Sequence, residues 1–191
     1  MSAREIETLD SRIAYANAWT RVREDTIRRK DGSTGIYGVV EKDDFVVVVP
    51  IEPDGSVHLV EQYRYPVGQR YWELPQGAWQ GHDAPDPVEL AHGELAEETG
   101  LRATSMQPIG ELFPSYGYAT QRFRIFVATG LTQGAPNLDG EELGLVSRRF
   151  AWSEVLRMLT DGTIRDAITL SAFGLLALKG MLPAIPRGVP G

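Results

Sequence analysis

At 191 residues, with 42% hydrophobic and 24% charged side chains, the chain has the makings of one well-cored globular protein. A net charge of −7 excludes a general nucleic-acid binder, whose phosphate contacts need a broad basic surface, but leaves room for a small anion held by a few local arginines. Without cysteine there is no disulfide or thiol chemistry, the start MSAREIETLD lacks the layout of a signal peptide, and the longest apolar runs, 45–51 and 173–178, fall far short of the roughly 20 residues of a membrane helix. A cytoplasmic protein with no membrane partner is expected.

In chain order, residues 10–40 alternate weakly through Ile13, Tyr15, Trp19 and Val22 and break at Asp31-Gly32, which predicts an amino-terminal hairpin or small sheet too poor in apolar residues to stand alone. Phe45 to Ile51 is a β-branched run fit for burial on both faces. The turn Pro53-Asp54-Gly55 leads from it into Val57 to Tyr63, so the two segments read as a central hairpin. Tyr71 to Leu74 reads as a short strand closed by Pro75, followed by a loop from Gln76 to Asp86. Asp86 then reads as a helix N-cap with Pro87 at the first helical position, and Gly100 as the left-handed stop, giving a helix over 87–99. Strands follow near 106–113, 123–129 and 145–150, then helices over 153–159 and 166–178, and a proline- and glycine-rich tail from 183 to 191. Strands, one helix, strands, two helices suit an α+β fold with a mixed sheet covered on both faces. No G-x-G-x-x-G or Walker A sequence is present.

The chemistry concentrates on the 87–99 helix. Glu94, Glu97 and Glu98 stand at i, i+3 and i+4 and so share an arc of roughly 100°. Each like-charge pair at these spacings costs a bare helix roughly 0.2–0.5 kcal/mol, so the cluster is better explained with a cation in it, and a hard divalent ion is the natural candidate. Val88, Ala91 and Leu95 mark the buried stripe, and Glu98 lies within about 60° of Leu95, close enough to need a partner. The alternative is a plain solvated acidic face. His58, His82 and His92 carry no metal spacing and read as structural or surface residues.

These residues resemble the Nudix hydrolase signature, Gly, five residues, Glu, seven residues, Arg-Glu-Φ-x-Glu-Glu-x-Gly-Φ with Φ aliphatic. Gly77 and then Glu94-Leu95-Ala96-Glu97-Glu98-Thr99-Gly100-Leu101 match it. Two departures stand out: Gly93 occupies the place of the arginine, and the interval from Gly77 is two residues longer, with Asp83 or Asp86 near the place of the first glutamate. Flanking segments, 61–67, 72–77, 114–117 and 161–167, are similar to the ADP-ribose and nucleotide-sugar pyrophosphatase branch.

The resemblance implies a Nudix-like α/β/α sandwich. It also implies metal-dependent hydrolysis of the diphosphate of a nucleoside diphosphate sugar, ADP-ribose or similar, to a monophosphate and a sugar phosphate. Glu94 and Glu98 would be direct ligands of Mg²⁺ or Mn²⁺, Glu97 a further or water-mediated ligand, and the carbonyl of Gln76 a neutral one. The base would come from the acidic turn 139–142, as Glu141 or Glu142 with Glu142 preferred. Arg64 and Arg70 would meet diphosphate oxygens, Glu73 a base or ribose, and Tyr37 and Tyr116, with Trp19, would be stacking partners. Residues 1–40 would be strands of the same domain that form a homodimer, 41–182 the Nudix domain and 183–191 a loose tail. A GDP-mannose-type substrate is the alternative, and Gly93 raises a second one, a catalytically silent nucleotide-binding module.

Overall fold

The computed structural model describes residues 5–78, 86–134 and 144–183. By its internal contacts the chain forms two compact units, Met1–Asp44 with Phe113–Arg122, and Phe45–Leu112 with Phe123–Gly191.

The first unit is an antiparallel three-stranded sheet of β1 (Ile6–Ala16), β2 (Arg21–Arg29) and β3 (Thr34–Glu41), in that order. Two irregularities in register, between Thr8 and Asp10 and between Ile13 and Tyr15, bend β1. Ile6, Ile13, Tyr15, Trp19 and Ile36 remain exposed, and burial reaches only Asp25 and Ile27 in the middle strand. Asp25 is held by the Ser11 hydroxyl at 2.5 Å and by Arg23 Nε at 2.9 Å. These bonds hold its carboxyl below the usual aspartate range, Ser11 contributing most. The weak apolar content expected of residues 10–40 is thus matched by a sheet braced largely by polar pairs.

The second unit holds two sheets. β7 (Gln76–Gly77), β4 (Phe45–Pro50), β9 (Phe123–Gln133) and β8 (Leu101–Leu112) form one, in that order. β10 (Val146–Phe150), β5 (Val57–Arg64) and β6 (Gln69–Glu73) form the other. β4 runs parallel to β9 and every other pairing is antiparallel, so the larger sheet is mixed. The expected central hairpin does not form. The turn is present, with Gly55 N–H donating to the Glu52 carbonyl at 2.8 Å, but a single bridge between Ile51 and Val57 is all that joins β4 to β5. The reason is burial: Val46 to Val49 are at most 1% exposed, and a strand apolar on both faces belongs inside a sheet, between β7 and β9.

Alternation along β4 divides two cores. Phe45, Val47 and Val49 face α2 (Trp152–Thr160) and α3 (Ala167–Leu178), packing with Val155, Met158, Phe173 and Leu176. Val46 and Val48 face α1 (Pro87–Thr99), packing with Leu90, Ala91 and Leu95. Each buried valine contributes about 1.5–3 kcal/mol. The result is the expected α+β architecture with helices on both sides of a mixed sheet. α1 has the predicted bounds: Asp86 accepts the Val88 N–H at 2.9 Å, and Gly100 closes it at φ 73°, its N–H bonded to the Ala96 carbonyl. α3 likewise starts from an Asp166 cap. β8 and β9 run longer than expected, and Pro108 is accommodated because β8 is an edge strand.

Candidate active site

α1 delivers its acids inward. Glu94 is 6% exposed and Glu98 2%, while Glu97 is only half-buried. An ionised carboxylate that far from water needs compensation. For Glu98 part of it comes from a backbone: the Gln76 N–H donates to Oε2 at 3.0 Å. Gln76 is placed to do so by β7, where it pairs with Val47 and Gly77 pairs with Val46, while the Val48 N–H takes the Pro75 carbonyl at 2.9 Å. The same strand meets Glu94 through Gly77. A Cβ built on Gly77 would stand 2.5 Å from Cδ and 2.6 Å from Oε1 of Glu94, nearer still to Oε2, so only glycine leaves the carboxylate its place. Glu94, Glu98, Gln76 and Gly77 are therefore brought together.

Their electrostatics favour a cation. Glu97 and Glu98 sit in the last turn of α1, where the helix dipole is already negative, and no basic residue stands in that turn. Hard oxygen donors of this kind suit a divalent ion such as Mg²⁺ or Mn²⁺. Among the described residues no three acidic or imidazole side chains close into a metal cluster by themselves. The helix thus presents two buried acids with Glu97 at their margin.

The two arginines expected to meet diphosphate oxygens are each paired with a glutamate. Arg64 forms a two-pronged pair with Glu73, Nη2 to Oε1 at 2.5 Å and Nε to Oε2 at 3.2 Å, and Gln62 adds a bond at 2.8 Å. Glu73 is 2% exposed. Burial pushes its carboxyl above the usual range, Arg64 and Gln62 oppose this, and the charge of Asp166 adds to it. Arg64 keeps Nη1 clear of Glu73 and is partly exposed, so it can still face a ligand; Glu73 is first of all its anchor. Arg70 is committed to structure: Nε binds the Glu61 carboxylate at 2.9 Å and Nη2 the carbonyls of Glu61 and Gly144 at 3.0 and 2.6 Å. Tyr37 and Tyr116 both belong to the first unit, where the Tyr37 hydroxyl donates to the Gly117 carbonyl at 2.7 Å and Tyr116 is largely exposed. Glu141, Glu142, Asp83 and His82 lie outside the described residues.

Sequence reasoning missed the cleft beside Glu98. A cavity of about 400 Å³ is lined by Glu98, Thr99, His58, Gln133, Leu145, Ser147, Arg148 and Arg149. His58 bonds Glu52 at 2.9 Å, and Arg149 reaches Asp54 Oδ2 at 2.6 Å and Ser56 Oγ at 2.5 Å. Arg148 pairs with Glu154 at 3.2 Å and lies over the Phe150 ring. The adjacent arginines a few residues after the acidic sequence 139–142 were the available signal. Their pairing with β5, residue by residue across from His58 and Leu59, was not readable from spacing.

A mixed sheet between helices, with a glycine-backed pair of buried glutamates, defines a Nudix-type fold and site, and the comparisons with known proteins agree. A family model described as NUDIX domain matches residues 42–173, and one described as nucleoside diphosphate sugar hydrolase N-terminal domain matches residues 6–40. An ADP-ribose pyrophosphatase of Mycobacterium tuberculosis is 31% identical over 191 residues, covering 100% of this chain and 91% of the relative. A GDP-mannose pyrophosphatase of Yersinia enterocolitica is 25% identical, covering 93% and 98%. A solved structure described as an ADP compounds hydrolase superposes with a TM-score of 0.80 at 20% identity, over 95% of this chain and all of that one, and shows the same fold. The chain belongs to the Nudix hydrolase family, in its ADP-ribose and nucleotide-sugar pyrophosphatase branch, and is an enzyme of the Nudix pyrophosphatase class. Among the described residues no helix is long and apolar enough to cross a membrane.

Proposed function

We propose that this enzyme hydrolyses the diphosphate of ADP-ribose or a similar nucleoside diphosphate sugar, giving a nucleoside monophosphate and a sugar phosphate, with Mg²⁺ or Mn²⁺ as cofactor. The observation that carries the reading is the pair of buried acids, Glu94 and Glu98, fitted against Gly77 and the Gln76 N–H. Glu94 and Glu98 would hold the ion, with Glu97 directly or through water and the Gln76 carbonyl as neutral ligand. When bound, such an ion neutralises non-bridging phosphate oxygens and acidifies water. Arg64, oriented by Glu73, is assigned to phosphate binding through its remaining guanidinium edge. Glu142 is assigned as the base that takes the proton from the attacking water. The cleft beside Glu98, with Arg148 and Arg149 on its wall, is of a size and polarity for a phosphorylated half of the substrate. Two copies of the chain would associate as a homodimer through β1–β3, and a cytoplasmic location is the reading that the absence of cysteine supports.

A GDP-mannose-type substrate is the second reading, supported by the relatives of that name. Incubation of the pure protein and Mg²⁺ with ADP-ribose, other ADP-sugars and GDP-mannose, scored by monophosphate release, separates them. Turnover of the ADP compounds with kcat/KM well above that for GDP-mannose supports the first reading; the reverse order supports the second. Glu98→Gln keeps the volume and the acceptor for Gln76 but removes the charge, and near-normal turnover of that variant refutes the site.

A further inference from the structure

The strand that carries Gln76 and Gly77 is tied to α3 through the residue two positions upstream of it. The Leu74 N–H donates to Thr169 Oγ1 at 3.0 Å, and the Thr169 hydroxyl in turn donates to Asp166 Oδ2 at 2.8 Å. Asp166 Oδ2 also accepts the Thr169 N–H at 2.8 Å. An ionised carboxylate accepts only, so the hydroxyl proton is directed to Asp166 and the lone pairs of Oγ1 are turned to Leu74. Leu74 and Thr169 are both fully buried, so water does not take over the bond between them. Beyond Leu74 the next residue is a proline, which offers no N–H, and its carbonyl is fixed by Val48. The next backbone donor is the Gln76 N–H on Glu98.

We propose that Thr169 and Asp166 are positioning residues for the active-site carboxylate: through Leu74 they set the height of the 74–77 backbone, and through the Gln76 N–H that backbone sets Glu98. The inference rests on the assignment of Glu98 to the site. It also gives Gly93 a physical context. Where the family signature has an arginine this chain has glycine, and Glu98 receives a peptide donor from a segment held at Leu74 by α3 and at Gln76 and Gly77 by β4.

The test uses Thr169→Val, which keeps the branched shape and removes the hydroxyl, and Thr169→Ser, which keeps the hydroxyl and removes a methyl. Two readouts are taken: steady-state kinetics with ADP-ribose and Mg²⁺, and amide hydrogen exchange at Leu74 and Gln76 without metal or substrate. The expectation for Thr169→Val is a kcat lower by about tenfold to a hundredfold with KM within about twofold, the signature of a displaced catalytic group, with faster exchange at both amides. Thr169→Ser returns both to near wild type. Should Thr169→Val not fold, Thr169→Ala, which also removes the hydroxyl but adds no methyl against the buried Leu74 N–H, is measured in its place with the same direction expected. Wild-type kcat, or unchanged exchange at Gln76, in a folded Thr169→Val protein overturns the proposal when Glu98→Gln is inactive. Full activity of Glu98→Gln removes the underlying assignment itself and the proposal with it, and the exchange data then show whether the 74–77 strand was nevertheless anchored as described.

Discussion

Replacing Gly77 by alanine adds one methyl group at the point where β7 meets Glu94. That methyl would stand 2.5 Å from Cδ and 2.6 Å from Oε1 of the carboxylate, whereas carbon and oxygen normally approach no closer than about 3.3 Å. The carboxylate must therefore retreat by roughly 1 Å. Because the obstructed group is the far end of a flexible side chain, the retreat costs little stability: a distorted rotamer is worth about 0.5–1.5 kcal/mol. Function is affected much more, since a misplacement of about 1 Å in a reacting constellation costs on the order of 100-fold in rate. Gly77→Ala is thus expected to melt within a few degrees of wild type while kcat with ADP-ribose and Mg²⁺ falls about 100-fold. Differential scanning fluorimetry and a monophosphate-release assay measure the two quantities on the same preparation. Turnover within about twofold of wild type would show that Glu94 is not needed where the structure holds it, and the site assignment would fall.

Three further outcomes are expected. Saturating Mg²⁺ or Mn²⁺ should raise the melting temperature of the wild type, since an ion at 100 times its Kd adds about 2.7 kcal/mol, and should leave Glu98→Gln unmoved; an equal shift in both proteins would place the ion elsewhere. Glu73, whose carboxyl is raised by burial, holds its proton in the folded state to higher pH than in the unfolded chain. Its contribution to stability is therefore present below the usual glutamate value of about 4.3 and is lost as pH rises through the folded value, and Glu73→Gln should flatten that decline in chemical denaturation curves taken across the range. Ile13 pairs with Arg23 and Ile36 with Thr26, three positions apart on β2, so the two isoleucines lie on opposite faces of the first sheet; the double variant Ile13→Glu and Ile36→Glu should shift the proposed dimer to monomer in light scattering, and an unchanged mass would remove β1–β3 as the interface.

Local signals in the sequence were sufficient where the physics is local. Asp86, Pro87 and Gly100 bound α1 because a cap, a proline and a left-handed glycine act within one turn, and the 3.6-residue period then places Glu94 and Glu98 inward. What failed was long-range. Phe45 to Ile51 and Val57 to Tyr63 flank a good turn, yet β4 chooses β9 because two-faced burial outweighs the nearest partner. The pairs Arg64–Glu73 and Arg70–Glu61 were not readable because a carboxylate nine residues away on a neighbouring strand is invisible until the register of β5 and β6 is known. Thr169 looked like an ordinary helix residue; only the fold brings its hydroxyl to Leu74.

The two-faced strand β4 also has a consequence for how this protein is made. Its parallel mate, Phe123–Ala128, is synthesised long after it, so a growing chain carries Phe-Val-Val-Val-Val without its lateral cover until the later strand leaves the ribosome. Such a stretch, β-branched, uncharged and free of proline until its last position, is the kind that stacks with copies of itself. Yield in a heterologous host should therefore depend on temperature and chaperone supply during translation more steeply than the stability of the finished enzyme would suggest, and a low-temperature culture is the condition under which it should accumulate in soluble form.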